Sequence, residues 1–316
     1  MALIHLHPLW DPAGQWQALF ALCPREQQPW LAEQLADTPA LHELPCYVPG
    51  ALPDLPQLQN LQLQGKLWLG EGVRITGGYS TATFLQTLPA GSLCYGNGYL
   101  HAQHTLQGHP SQPALMHILS LVVDDADTRQ LEEAFAHAPS LTVSLLKLVN
   151  SVGIGSRVEV TSIRHAITVL GRRQLQRWLQ LLLYAEQFAD SEGNRALMTG
   201  AALRAKRLEQ WAERSWLNHP ADSAFLIGML SLLDRLFGVP LQELLAGLPL
   251  PPALRDALLA HEGELGRALL AAEALETASS TELPASSITP RAWLESEVAA
   301  LGWARQLQTQ GHTQRA

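Results

Sequence analysis

Two neighbouring stretches decide the fold class: residues 141–150, LTVSLLKLVN, and residues 162–188, SIRHAITVLGRRQLQRWLQLLLYAEQF. In the first, Leu141, Leu145, Leu148 and Val149 return at helical spacing and share one face. In the second, Ser162 is an N-cap residue ahead of a helix over Ile163–Leu170, Gly171 interrupts the pattern, and a further helix runs over Arg172–Phe188. Apolar residues three and four apart, set between a cap and a glycine, predict short amphipathic helices and not strands.

The same rhythm extends both ways. Upstream, Met116, Leu119, Val122 and Val123 open a helical stripe, and Asp127 with Gln130 three residues later reads as a capping box launching Thr128–His137. Downstream, helices fit Arg195–Trp216, Ala221–Leu236, Leu241–Ala246, Pro252–His261 and Glu264–Glu276. Thr277–Thr289 is rich in Ser, Thr and Pro and reads as a linker. Thr289-Pro290 is an N-cap and N1 pair for a last helix, with Leu294, Val298 and Leu301 facing inward. Residues 113–276 therefore read as an all-α domain, 277–289 as a linker and 290–316 as a C-terminal helix.

Residues 1–112 follow a different beat. Ala2–Leu9, Gln17–Leu22, Lys66–Leu69 and Ser92–Tyr95 look like strands bounded by turn residues, with helical candidates at Glu26–Ala36 and Ser80–Leu88 between them. Strand alternating with helix predicts βα units and parallel pairing. A full eight-stranded βα barrel takes about 250 residues, so a barrel-like region here is expected to be a fragment. The fold class is α+β: a small α/β segment followed by an all-α domain.

Composition narrows the function classes. The 316 residues are 47% hydrophobic and 16% charged, enough for a sizeable core, and the net charge is -8. An acidic chain lacks the basic footprint of a nucleic-acid binder. Cys23, Cys46 and Cys94 are odd in number and never spaced as a metal knuckle. The N-terminal residues show no signal-peptide pattern, and the longest apolar runs, Leu179–Ala185 and Phe225–Leu233, are under half of the roughly 20 residues a membrane span needs. The reading is a cytoplasmic protein with no membrane partner and no cofactor.

The segments Leu145–Ser151, Val160–Ile167 and Leu170–Leu175 resemble, in order and spacing, the signature of the HDOD family, the HD-related output domains of bacterial signalling proteins. Ala224–Asp234 is similar to a later core helix of the variety fused to an EAL domain, a cyclic-di-GMP phosphodiesterase-type module. The likeness covers roughly Pro113 to Glu276. It makes the N-terminal part readable as a shortened, degenerate EAL-like segment. His7–Asp11 resembles the opening motif of EAL domains, Trp16–Phe20 stands where that family carries its Tyr-Glu-x-Leu-Phe element, and Gly98–Ala102 resembles the end of the domain.

That resemblance implies metal ligands which this sequence lacks. EAL phosphodiesterases hold hard cations with carboxylates, and the motif glutamate is here Gln17, a neutral amide. HD phosphohydrolases need a His-Asp pair, which falls here on Ser231-Leu232, and a first histidine, which has no counterpart in Met198–Glu209. Asp124-Asp125 reads as a solvated turn, and Asp234 as a partner for Arg235 or a helix end.

Other candidates carry less. His5-x-His7 on a strand puts two imidazoles on one face, as a metallohydrolase would want, without evident companion ligands. His101, His104 and His109 read as a connector, and His165 as a cap or core-edge residue. Asn150 and Ser151 end a helix; they either tie down the following turn or touch a partner. Arg172, Arg173 and Arg177 line the polar side of one helix, as a solvated face or as a docking patch for an acidic partner.

The expected function is a non-catalytic output or protein-interaction module in bacterial signal transduction, with a signalling protein as partner. Two alternatives stand beside it: a degenerate sensor of cyclic-di-GMP or another nucleotide, and a metal-dependent phosphohydrolase with an atypical ligand set.

Overall fold

The computed structural model describes residues 3–12, 14–64, 67–77, 91–97, 112–138, 141, 142, 145, 162–185, 193–246, 248, 250–276 and 288–313. The N-terminal part is a closed barrel of seven strands in sequence order: β1 (His5–Trp10), β2 (Trp16–Leu22), β3 (Cys46–Pro49), β4 (Leu58–Gln64), β5 (Leu67–Gly70), β6 (Val73–Gly77) and β7 (Ser92–Tyr95). The barrel closes where Trp10 of β1 pairs with Cys94 of β7.

The expectation of parallel βα units holds where a helix joins β2 to β3 and is corrected elsewhere. β1–β2, β4–β5, β5–β6 and β7–β1 are antiparallel, and only β2–β3, β3–β4 and β6–β7 are parallel. Two residues separate β4 from β5, and two separate β5 from β6, which permits a hairpin and forbids a crossover helix. Short connections are also why the barrel closes in so few residues, where a fragment was expected. The predicted helix at Ser80–Leu88 lies outside the described residues. The predicted Glu26–Ala36 helix is observed as a 3₁₀ turn, Arg25–Gln27, leading into α1 (Gln28–Ala36).

The strands alternate between two environments. Leu9, Ala18, Phe20, Leu61, Val73 and Ile75 point inward and form a small core of their own. Leu6, Trp10, Leu19, Cys46, Val48 and Cys94 point outward and join the core of the helical region. Burial pushes the Cys94 thiol up to about 12, with Asp11 adding to it, so it serves as a neutral core residue.

The helices are α2 (Gln112–Val123), α3 (Thr128–Ala136), α4 (Ile163–Ala185), α5 (Gly193–Glu213), α6 (Ala221–Leu230), α7 (Leu233–Phe237), α8 (Leu241–Ala246), α9 (Pro252–Ala260), α10 (Gly263–Glu276) and α11 (Pro290–Thr313). The Asp127–Gln130 capping box forms with both reciprocal bonds, 2.8 and 3.0 Å. Ser162 Oγ accepts from the His165 backbone N–H at 3.1 Å, so the cap is Ser162 and the histidine contributes its amide. Gly171 breaks α4 internally with φ 73° and ψ 160°, a backbone that only glycine adopts readily. Thr289 Oγ1 caps α11 by accepting from Ala292 N–H at 3.3 Å, and Leu294, Val298 and Leu301 are buried as their spacing predicts.

One helix is split against expectation. Ala221–Leu236 reads as continuous, but α6 stops at Leu230 and α7 begins at Leu233. The Ser231 hydroxyl donates back to the Gly228 carbonyl at 2.8 Å, competing with the helical ladder, and Leu232 takes φ -117°.

α11 joins the two regions. Trp293 Nε1 donates to the Ile4 carbonyl at 2.9 Å, and Arg305 Nη1 to the Trp16 carbonyl at 2.7 Å, both on the barrel side. On its other side α11 packs along α5.

Candidate functional site

α5 is the central helix, contacted by α6, α10 and α11. Its buried face carries Ala201, Ala205, Leu208 and Trp211, and among them two arginines, Arg204 and Arg207. α6 crosses this face backbone to backbone at Gly228, where a Cβ would lie 2.3 Å from Ala205 Cα. That close approach brings Ser231, at the end of α6, onto Arg204.

Arg204 is 2% exposed, and all three of its guanidinium nitrogens donate hydrogen bonds. Nε and Nη2 donate to the two Glu276 oxygens, both at 2.8 Å, and Nη1 donates to Ser231 Oγ and to Glu273 Oε1, both at 2.9 Å. The other Glu273 oxygen is 3.1 Å from His261 Nε2. His261 reaches it from the left-handed C-cap of α9, φ 54°. Three turns of chain from α9, α10 and the α6 end thus converge on one buried cation. Such a group is stable only when it is paired and hydrogen-bonded, and here the bidentate fork to Glu276, with Glu273 and Ser231 beside it, provides that.

One turn along α5, Arg207 is equally buried and forks onto Glu297 of α11, with distances of 3.1, 3.0 and 2.7 Å. Lys206 Nζ pairs with buried Glu209 at 2.6 Å. Both carry the α5 polar spine to the barrel side, where the Arg207 and Glu297 charges reach His5.

The structure sorts the sequence candidates. Ser231, which the resemblance sets at the His-Asp position of HD phosphohydrolases, accepts from Arg204, while Leu232 is a core residue. Asp234 pairs with Arg235 at 3.4 Å, as its sequence context suggests. Gln17 is the extra residue of a β-bulge between Trp16 and Ala18, exposed, donating to Asp11 Oδ2 at 2.8 Å. It stands at the end of β2 away from the His5–Leu22 pair. Asp124 and Asp125 form an exposed turn, Asp125 at φ 53°. Arg172 Nη1 lies 3.1 Å from Asp125 Oδ1, and Arg173 Nε donates to Asp222 Oδ1 at 2.5 Å, so these two of the three arginines have acidic neighbours within the chain. Asn150, Ser151 and the Arg177 side chain lie outside the described residues, as do His101, His104 and His109. His5 and His7 share the inward face of β1, and no group of three His, Cys, Asp or Glu suited to a metal occurs among the described residues.

Sequence reading missed Arg204, Glu273, Glu276 and His261. The signal was there in part: Arg204 and Arg207, and likewise Glu273 and Glu276, are three apart on stripes that are otherwise apolar. A charge repeated at helical spacing on a core face marks a buried ion pair.

No helix among the described residues is long and apolar enough to cross a membrane. No solved structure matches the chain significantly. Two curated relatives do. Over 154 residues, 49% of this chain and 35% of the relative, it is 29% identical to a protein of Vibrio cholerae named cyclic di-GMP phosphodiesterase CdgJ. Over 214 residues, 66% of this chain and 50% of the relative, it is 26% identical to the uncharacterized protein YuxH of Bacillus subtilis. The chain therefore matches between about a third and a half of the length of these relatives. The family model for the HDOD domain matches residues 110–239, which hold the Ser162 cap, the Gly171 break, Arg204 and Ser231. The chain carries an HDOD domain over residues 110–239.

Proposed function

We propose that this protein is a non-catalytic output and protein-interaction module of bacterial signalling, within the cyclic-di-GMP-related group to which the name of its Vibrio relative points. The observation that carries this reading is the place of Arg204. Where an HD phosphohydrolase would gather histidine and aspartate around metals, a permanently charged guanidinium sits 2.9 Å from Ser231, with its carboxylate partners already engaged. A divalent cation brought beside it meets like charge and finds the nearby oxygens committed. The positive charge of the lost centre is supplied by the chain itself.

The barrel we read as a degenerate EAL-like barrel. In support, the motif-like His7–Asp11 and Trp16–Phe20 form its first two strands, and the neutral Gln17 replaces the family's glutamate. The name of the Vibrio relative favours a second reading, a sensor that binds cyclic-di-GMP without hydrolysing it. The match takes in 35% of that relative, so its activity is not carried over by the likeness.

Metal analysis of the purified protein together with a hydrolysis assay on cyclic-di-GMP in Mn²⁺ tests the first reading. The expected result is no stoichiometric metal and no turnover; bound metal with turnover sinks it. Calorimetric titration with cyclic-di-GMP tests the second, and absence of heat removes it. The Arg173→Glu/Arg177→Glu variant is expected to lose the partner captured by the wild type, and an unchanged set of partners dismisses that helix face as the contact.

A further inference from the structure

The barrel interior holds a polar group that folding alone does not explain. His7 is 3% exposed on the inward face of β1, and its Nε2 has no hydrogen-bond partner. His5, two residues back on the same face, keeps its buried Nδ1 unpartnered as well. Leaving a buried imidazole nitrogen unpaired costs stability that an apolar residue of the same size would not. Burial drives the His7 pKa down to about 3, with the Arg207 and His5 charges adding to it, so the ring is neutral, with one nitrogen a donor and the other an acceptor.

Its surroundings are aromatic. The His7 ring lies 5.4 Å from Tyr95 and 6.2 Å from Phe20, and Phe20 lies 4.6 Å from Tyr95 and 5.9 Å from Trp68. Gly77 makes the arrangement fit: a Cβ there would come 1.9 Å from the Tyr95 ring, so β6 gives up a side chain to let that ring lie across it. Tyr47, Trp68 and Tyr95 are half-buried. They sit towards the end of the barrel that holds His5 and the C-terminal ends of β2, β3, β6 and β7. Leu63 and Leu67, 57% and 40% exposed, border that end. No inward position of the seven strands holds a charged side chain.

The geometry points to a binding site at this end of the barrel for a small, neutral, planar heteroaromatic molecule, stacked on Trp68 and Tyr95 with its hydrogen-bonding edge turned to His7. The Tyr95 ring, which lies over the imidazole, turns enough to open that edge and remains one wall of the stack. Rings stack on rings whatever their identity, which sets the planar shape. The unpartnered nitrogen sets the polar edge. The uncharged lining sets neutrality, because the cation whose field reaches the histidines, Arg207, is already forked onto Glu297 and leaves a buried phosphate without a counter-charge. This site is separate from the Arg204 cluster and does not rest on the output reading of the helical domain.

The test is calorimetric titration of the full chain with indole and adenine as neutral rings, AMP as the same purine carrying a phosphate, and cyclic-di-GMP as a dianion. Saturable binding of one neutral ring is expected, with AMP at least about tenfold weaker than adenine. His7→Phe should weaken the bound ring by about tenfold while leaving Tm unchanged or raised, because the unpaired nitrogen is gone. Failure of both rings to bind at their solubility limits overturns the proposal. So does AMP or cyclic-di-GMP binding as tightly as adenine, or a His7→Phe variant that loses thermal stability, since the imidazole would then be a structural group. The metal and turnover assays above report on the helical domain and move independently of these outcomes.

Discussion

Arg204 and His7 are both buried polar side chains at the heart of their regions, and they are treated in opposite ways. Arg204 donates to three residues from two other helices, and its acceptors are themselves engaged. His7 is neutral, ringed by aromatics, and leaves a nitrogen without a partner. A charge cannot be left bare in a protein interior, so the helical domain must close its site completely. A neutral ring can be left incomplete at moderate cost, and the barrel does so. On the two proposals above, the contrast separates a buried centre closed by its own chain from one left open to something outside it.

The comparison breaks first at Arg204. Arg204→Met leaves Glu276 buried, and Glu273 half-buried, beside an apolar chain and should cost about 3–5 kcal/mol in urea unfolding. Adding Glu276→Leu should recover most of that loss; recovery by a supplied divalent cation instead would mean that the centre is still a metal site. Next, Gly228→Ala pushes a methyl into the Ala205 backbone, separates α6 from α5 and should cost about 1–3 kcal/mol. Because it also draws Ser231 away, its effect should shrink in the Arg204→Met background.

His7 gives the pH arm of the comparison. Its pKa is about 3 in the fold against 6.5 in the unfolded chain, so between those values the unfolded chain binds a proton that the folded one does not. Its contribution is fully present above pH 6.5 and is lost as the pH falls towards 3, at up to roughly 1.4 kcal/mol per unit. Wild type should therefore destabilise more steeply than His7→Phe across that window, with the curves parallel above it. Parallel curves throughout would mean that His7 is not buried as described. The smallest effect is expected at the surface: Arg173→Glu breaks an exposed pair with Asp222 and should shift stability by no more than about 1 kcal/mol.

The helical half was legible because its signals are local. The Asp127 box, the Ser162 cap, the Gly171 break and the Thr289-Pro290 start each sit within a few residues of what they control. The barrel was read only in part. β4, LQNLQLQ, buries only Leu58 and Leu61, and its glutamines give no clear alternation. β3 is four residues long, and the closure of β7 on β1 joins residues 84 positions apart, which no local pattern announces. The candidate site followed the same rule. Sequence reading singled out Ser231 and Leu232 but not Arg204, Glu273 and Glu276 around them, whose meeting depends on the crossing at Gly228.

The grip of α11 on the barrel has a consequence for how the chain matures. Trp293 bonds Ile4, and Arg305 bonds Trp16, each pair 289 positions apart. On the ribosome the flank of the first two strands stays bare until the last helix has been made. Contacts of such span slow folding and prolong the interval in which sticky surface is on show, so this is a fold whose yield should respond to chaperone supply.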